Sequence, residues 1–220
     1  QEAMVNYDYE TALMLIEQET PTVPLLYQKG KALKGLGNNL EALSVFQEVV
    51  VQDSLNCRAY IEAAECCKSL AKYGEALNYY QNALHINPDN KYVRIQYISL
   101  LMNMKRYRES LKESNLLAER DSSAYVLHLR AESMGQVYDN TKIMYVTDAY
   151  LDIQKRYPND YLSAAKLGNI YVAGHQYEDA INITEKYRSI DSTNVLVNRI
   201  NAQAYCLNKD YPKAIERYEQ

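Results

Sequence analysis

The sequence predicts an all-α fold built as a row of antiparallel helix pairs, and three observations carry that prediction. First, a short signal returns at a fixed interval: Tyr73-Gly74-Glu75-Ala76-Leu77, Tyr107-Arg108-Glu109-Ser110-Leu111, Tyr177-Glu178-Asp179-Ala180-Ile181 and Tyr211-Pro212-Lys213-Ala214-Ile215. Tyr73 and Tyr107 stand 34 apart, as do Tyr177 and Tyr211, and Tyr107 to Tyr177 is 70, two such intervals plus 2. Second, small and apolar residues inside each interval fall at three- and four-residue steps, the mark of one helix face. Third, Pro88 and Pro158 fall where second helices should stop, and Gly37, Gly74 and Asn38-Asn39 fall where helices should turn. A period of this size marks stacked units, none of which buries its apolar side alone.

Taken in order, the elements are as follows. A lone second helix lies near Tyr9 to Glu19, opening a partial repeat over 1–22. Full pairs follow at 23–56, 57–90, 91–123, 124–160 and 161–194, and an incomplete one over 195–220, giving about thirteen helices. First helices read Leu26-x-x-Lys29-Gly30-x-x-Leu33, Tyr60-x-x-Ala63-Ala64-x-x-Cys67 and Ala164-x-x-Leu167-Gly168-x-x-Tyr171. Second helices read Ala42-x-x-x-Phe46 and Ala76-x-x-x-Tyr80. Gly30, Ala64, Gly168 and Ala202 are small at one shared place, where a paired helix is expected to come close. Glycine in a helix interior costs about 1 kcal/mol, which close packing must offset. The fourth pair is irregular: Arg130 stands beside Ala131, and the second helix, about Thr141 to Tyr157, is expected to be a few residues longer. No Gly/Ser-rich linker breaks the phase, so residues 1–220 are expected to form one solenoid domain. The chain stops in a second helix holding Ala214, Ile215 and Tyr218, so either the natural protein continues past Gln220 or that face pairs with another copy.

This grammar resembles the tetratricopeptide repeat over essentially the whole chain. The resemblance implies a right-handed superhelical solenoid whose first helices line a concave surface that holds a peptide or a partner's segment.

Other functions find little support. The net charge is −4 and the pI about 5.5, where a protein held by phosphate contacts carries basic excess, so no nucleic-acid partner is expected. Apolar runs such as Val49-Val50-Val51 are far shorter than the roughly 20 residues of a spanning helix. The start, Gln1 to Thr11, lacks a basic, then apolar leader, which leaves the compartment open: cytoplasmic, or exported if a leader was removed. His85, His128 and His175 are scattered, and no cysteine spacing suits zinc, so no metal, cofactor or catalytic residue is expected. Cys66-Cys67 reads as core packing, with Cys57 and Cys206 too distant to meet. Gly30 to Gly37 looks like a phosphate loop but lacks the Gly-Lys-Ser/Thr ending and lies in a helix.

The resemblance places the partner-binding candidates on the first helices. They are Tyr27 and Lys31, Arg58 and Glu62, then Tyr92, Gln96 and Ser99, and farther on His128, Glu132, Lys166, Asn169, Arg199 and Gln203. Amides and guanidinium groups bond an extended backbone, and tyrosine supplies apolar area with a polar tip. Lys31 shares the surface with Glu62, Glu65 and Glu132, so the basic clamp with which family members hold chaperone tails is not expected. The expected function is a non-enzymatic scaffold for a protein or peptide, with self-association through the last helix as a further possibility. The alternative is a sensor or regulatory module of a larger bacterial signalling or envelope-assembly protein.

Overall fold

The structure, a computed structural model, describes residues 8–138 and 142–219. The opening of the partial repeat (1–7), Thr141 at the expected start of the irregular helix, and Gln220 lie outside the described residues. Among the described residues there are thirteen α-helices and no strand. In chain order they are α1 (Tyr9–Ile16), α2 (Val23–Gly35), α3 (Asn39–Gln52), α4 (Cys57–Ser69), α5 (Tyr73–Ile86), α6 (Lys91–Asn103) and α7 (Tyr107–Ala118). They continue as α8 (Ala124–Val137), α9 (Ile143–Arg156), α10 (Tyr161–Ala173), α11 (Tyr177–Arg188), α12 (Val195–Leu207) and α13 (Tyr211–Tyr218). First helices are thus α2, α4, α6, α8, α10 and α12. The chain forms two compact units, Gln1–Glu113 and Ser114–Gln220, divided within α7. Each of α1 to α5 packs on the next helix in the first unit, as does each of α8 to α12 in the second, and alternate first helices touch as well: α2 with α4, and α10 with α12.

One local device repeats inside the pairs. A first helix ends when a residue with positive φ reverses the chain: Gly37 (84°), Ala71 (57°), Lys105 (59°), His175 (60°) and Lys209 (65°). The next amide then reaches back five residues, as in Asn38 N to Leu33 O (2.9 Å), Lys72 N to Cys67 O (2.8 Å) and Asp210 N to Tyr205 O (2.9 Å). These bonds satisfy carbonyls that the helix end leaves open. A second device starts the first helices: the side chains of Asn56, Asn90, Asp160 and Asn194 accept from the backbone N–H three residues on.

The shared small position is tight. A Cβ on Gly30 would lie 2.6 Å from the Phe46 ring, and one on Gly168 would lie 2.8 Å from Ile200. Ala64, Ala131 and Ala202 are fully buried at the same place, and α6 carries Ile98 there. The first unit's core gathers Leu33, Phe46, Leu77, Tyr80 and Leu101 with Cys66 and Cys67. The second unit's centres on Val146, Tyr150, Ile153 and Leu167, and on Tyr187, Val197 and Ile200.

Two expectations are corrected. Gly74 is not a turn residue; it lies in the first turn of α5, and the reversal is made by Ala71. Helix α9 is not lengthened: it has 14 residues, like α3 and α5. Five positions separate the end of α8 at Val137 from the start of α9 at Ile143, where the other pairs have three.

Candidate functional site

In the first unit, Tyr27, Lys31 and Lys34 on α2 recur at steps of four and three, as do Arg58, Glu62 and Glu65 on α4 and Tyr92, Gln96 and Ser99 on α6. That spacing puts each trio on one helix side. Interactions between helices confirm that these sides adjoin. Lys34 Nζ lies 2.6 Å from Glu62, and Tyr27 OH lies 3.5 Å from the same carboxylate. Lys68 Nζ donates to Gln96 (2.9 Å) and pairs with Glu65 (3.3 Å). Glu65 also accepts from Tyr92 OH (3.3 Å) and from Tyr80 OH, whose ring is fully buried in α5.

The electrostatics follow from this wiring. Burial pushes the Tyr27 phenol up to about 12, with Glu62 adding to the rise and Arg58 opposing it. Burial and then the bond to Glu65 push Tyr80 far above the usual phenol range, and Tyr92 rises for burial and the Glu65 charge. At neutral pH all three therefore stay donors, and both carboxylates of the face have donors from the chain itself. Lys31 and Arg58 are exposed and make no ion pair with any described residue. Tyr92 keeps 54% of its surface open. Ser99 is half-buried.

In the second unit, Lys166 pairs with Glu132 at 3.0 Å, both side chains 39% exposed, an exposed pair of the kind that contributes at most about 1 kcal/mol. Asn169, Arg199 and Gln203 are exposed. His128 departs from the expectation. It is buried, with Nε2 2.7 Å from Asp160 Oδ2 and its ring 5.7 Å from Tyr150. Val126, Leu127 and Leu129 around it are buried too, so this stretch of α8 offers little to a partner. Asp160 also caps α10 through Ser163 N (2.8 Å), which makes His128 a tie between α8 and the start of α10.

Sequence reasoning placed Glu65 on this surface but missed Lys34 and Lys68 as members of the first unit's network. Lys34 and Lys68 stand one 34-residue period apart, a signal that could have found them. It also missed a buried polar seam in the second unit, where Asn201 donates to Thr184 (2.8 Å), Arg188 donates to Asn198, and Glu185 accepts from Tyr205 and Arg217 (both 3.2 Å). A separate open cleft of about 430 Å³ lies among α5, α6 and the middle of α7, lined by His85, Tyr97 and the Arg94–Glu113 ion pair. Cys66 and Cys67 are buried in the core, and burial lifts each thiol to about 11, which keeps them protonated and unreactive. Among the described residues no cluster of His, Cys, Asp or Glu suits a metal, and no helix is long and apolar enough to cross a membrane.

Comparison with known proteins agrees with this architecture. The Tetratricopeptide repeat family model matches residues 69–132. No curated protein matches the chain. Among solved structures, the C-terminal part of a TPR repeat-containing protein from Cytophaga hutchinsonii superposes with a TM-score of 0.80 at 11% identity, covering 99% of this chain and 90% of that one. YrrB, described as a TPR protein with an unusual peptide-binding site, superposes at 0.66 with 15% identity, covering 86% of this chain and 96% of its own. A tetratricopeptide repeat protein from Parabacteroides merdae superposes at 0.63 with 14% identity, covering 99% of this chain and 87% of its own. The recurring helix pairs, their shared reversals and these likenesses converge: the fold is the all-α helix-pair solenoid of tetratricopeptide repeat proteins, and residues 69–132 match that family's model.

Proposed function

We propose that this protein is a non-enzymatic interaction scaffold that holds a peptide, or an extended segment of a partner protein, against its first helices. The observation that carries this reading is the linked row of outward side chains on α2, α4 and α6. The network holds Tyr27, Tyr92 and Gln96 in place before a partner arrives, which lowers the ordering cost of binding. A few aromatic and arginine anchors then dominate the affinity. YrrB supports the reading as a structural neighbour that is itself described by its peptide-binding site. In the second unit, Lys166, Glu132, Asn169, Arg199 and Gln203 are proposed as the corresponding contacts, with His128 left out. The proposal includes a single solenoid domain over 1–220.

The test is capture of partners from a lysate by the intact chain, followed by affinity measurement on the partner identified. Tyr92→Ala and Arg58→Ala should each weaken that complex about tenfold or more, the loss typical of an anchor side chain, with helicity unchanged by circular dichroism. Unchanged affinity in both variants would remove the first-helix face as the binding surface.

A further inference from the structure

The charge of the first unit is sorted by helix class. Its first helices, α2, α4 and α6, carry seven lysines and arginines against Glu62 and Glu65 alone. Its remaining helices, α1, α3, α5 and α7, carry six glutamates against Arg108 and Lys112. This basic surplus sits in a chain whose net charge is −4, so it is not a general property of the composition. The ion pairs sharpen the sorting. Glu62 is taken by Lys34 and Glu65 by Lys68, while Lys31 and Arg58 on the same faces are exposed and have no described carboxylate.

We infer that the first-helix face of this unit takes an acidic peptide segment, with carboxylates against Lys31 and Arg58 and an apolar side chain against the open Tyr92 ring. The inference rests on the scaffold reading above and names the partner's chemistry. A guanidinium and an ammonium offer charge-assisted bonds to carboxylates, and the ring offers apolar area beside them. The paired Glu62 and Glu65 hold Lys34 and Lys68 to the surface and also place negative charge in the middle of it. A continuous polyphosphate would meet those carboxylates, whereas a peptide can set its acidic residues only where Lys31 and Arg58 stand. That pattern favours an acidic peptide over nucleic acid.

The test uses the intact chain and fluorescence anisotropy with four labelled probes. These are a twelve-residue peptide alternating Glu with Leu and Tyr, its Gln analogue, its Lys analogue, and an oligothymidylate of similar length. At low salt the acidic peptide should bind about tenfold or more tightly than the Gln analogue, and its advantage should shrink several-fold at about 0.3 M salt. The double variant Lys31→Glu, Arg58→Glu should cost the acidic peptide at least about tenfold and spare the Gln analogue. Lys112→Glu, an exposed charge reversal on α7, should leave binding unchanged. Equal binding of the Gln or Lys analogue, lost on Tyr92→Ala, would overturn the acidic preference and keep the scaffold reading. Oligothymidylate binding as tight as that of the acidic peptide would overturn the peptide assignment. Binding of none of the four would overturn this inference, while the lysate capture separately decides the scaffold reading.

Discussion

The same substitution, glycine to alanine, should have opposite effects at two exposed sites 37 residues apart. Gly37 has φ +84° and ends the α2–α3 reversal; Gly74 lies in the first turn of α5. A Cβ added at either would meet no atom within 4 Å, so packing drops out of the comparison. What remains is backbone conformation. A left-handed residue with a side chain costs about 1–2 kcal/mol, partly offset because alanine has less freedom to lose from the unfolded chain. Gly37→Ala should therefore destabilise by about 1 kcal/mol. Gly74→Ala should stabilise by about 0.5 kcal/mol, because alanine is the better helix former. For a chain of this size, 1 kcal/mol moves Tm by about 2–4 °C. Thermal unfolding followed by circular dichroism should show Gly37→Ala melting lower and Gly74→Ala melting slightly higher than the parent. Ala71→Gly, one period on from Gly37 at φ 57°, should raise the melting point. A Gly37→Ala protein as stable as the parent, with Ala71→Gly less stable, would refute the assigned reversals.

Gly30→Ala drives a methyl to 2.6 Å from the buried Phe46 ring and should cost about 1–3 kcal/mol in urea unfolding; a neutral result would mean that α2 and α3 do not approach as described. Glu65→Leu removes the acceptor from the buried Tyr80 hydroxyl and should cost about 1–3 kcal/mol, much of which Tyr80→Phe in the same chain should recover. Burial holds Cys66 and Cys67 at about 11 and Tyr27 at about 12, above their ordinary values of 9.0 and 10.0. The folded state thus keeps these protons longer than the unfolded chain does. Their stabilising effect is complete below about pH 9 and is lost as pH rises through 11–12, so the urea midpoint should fall across that window rather than rise. Limited proteolysis tests the single-domain proposal: an α7 that resists cutting as long as α5 and α10 do would support one domain, and early cutting within α7 would argue for two independent units.

The helix pairs were legible because each one repeats the same burial requirement. Ala42, Ala76 and Ala180 recur in phase, and all are fully buried. The close approach at Gly30 and Gly168 was legible for the same reason: a residue lacking a side chain inside a helix has to be offset by packing. The reversals were less so. Only Gly37 announces a positive φ, while Ala71, Lys105, His175 and Lys209 reach it through the period alone, with no side-chain signal. The location of the two added residues was hidden because a longer helix and a longer connection leave the same offset between Tyr107 and Tyr177. On the candidate face, helical spacing brought Tyr27, Glu62, Tyr92 and Gln96 to one surface. It could not distinguish an outward His128 from one held by Asp160, since that depends on the packing of α8 against its neighbours. The ties of Glu65 to Tyr80, Tyr92 and Lys68 join three helices, and such joins exist only after folding.

Amide hydrogen exchange of the intact chain with and without a bound peptide addresses the central claim most directly, since it asks which helices the partner covers. Protection confined to α2, α4 and α6, or to these with α8, α10 and α12, is the predicted result. Protection concentrated on second helices such as α3, α5 and α11, with the first helices unaffected, would contradict it.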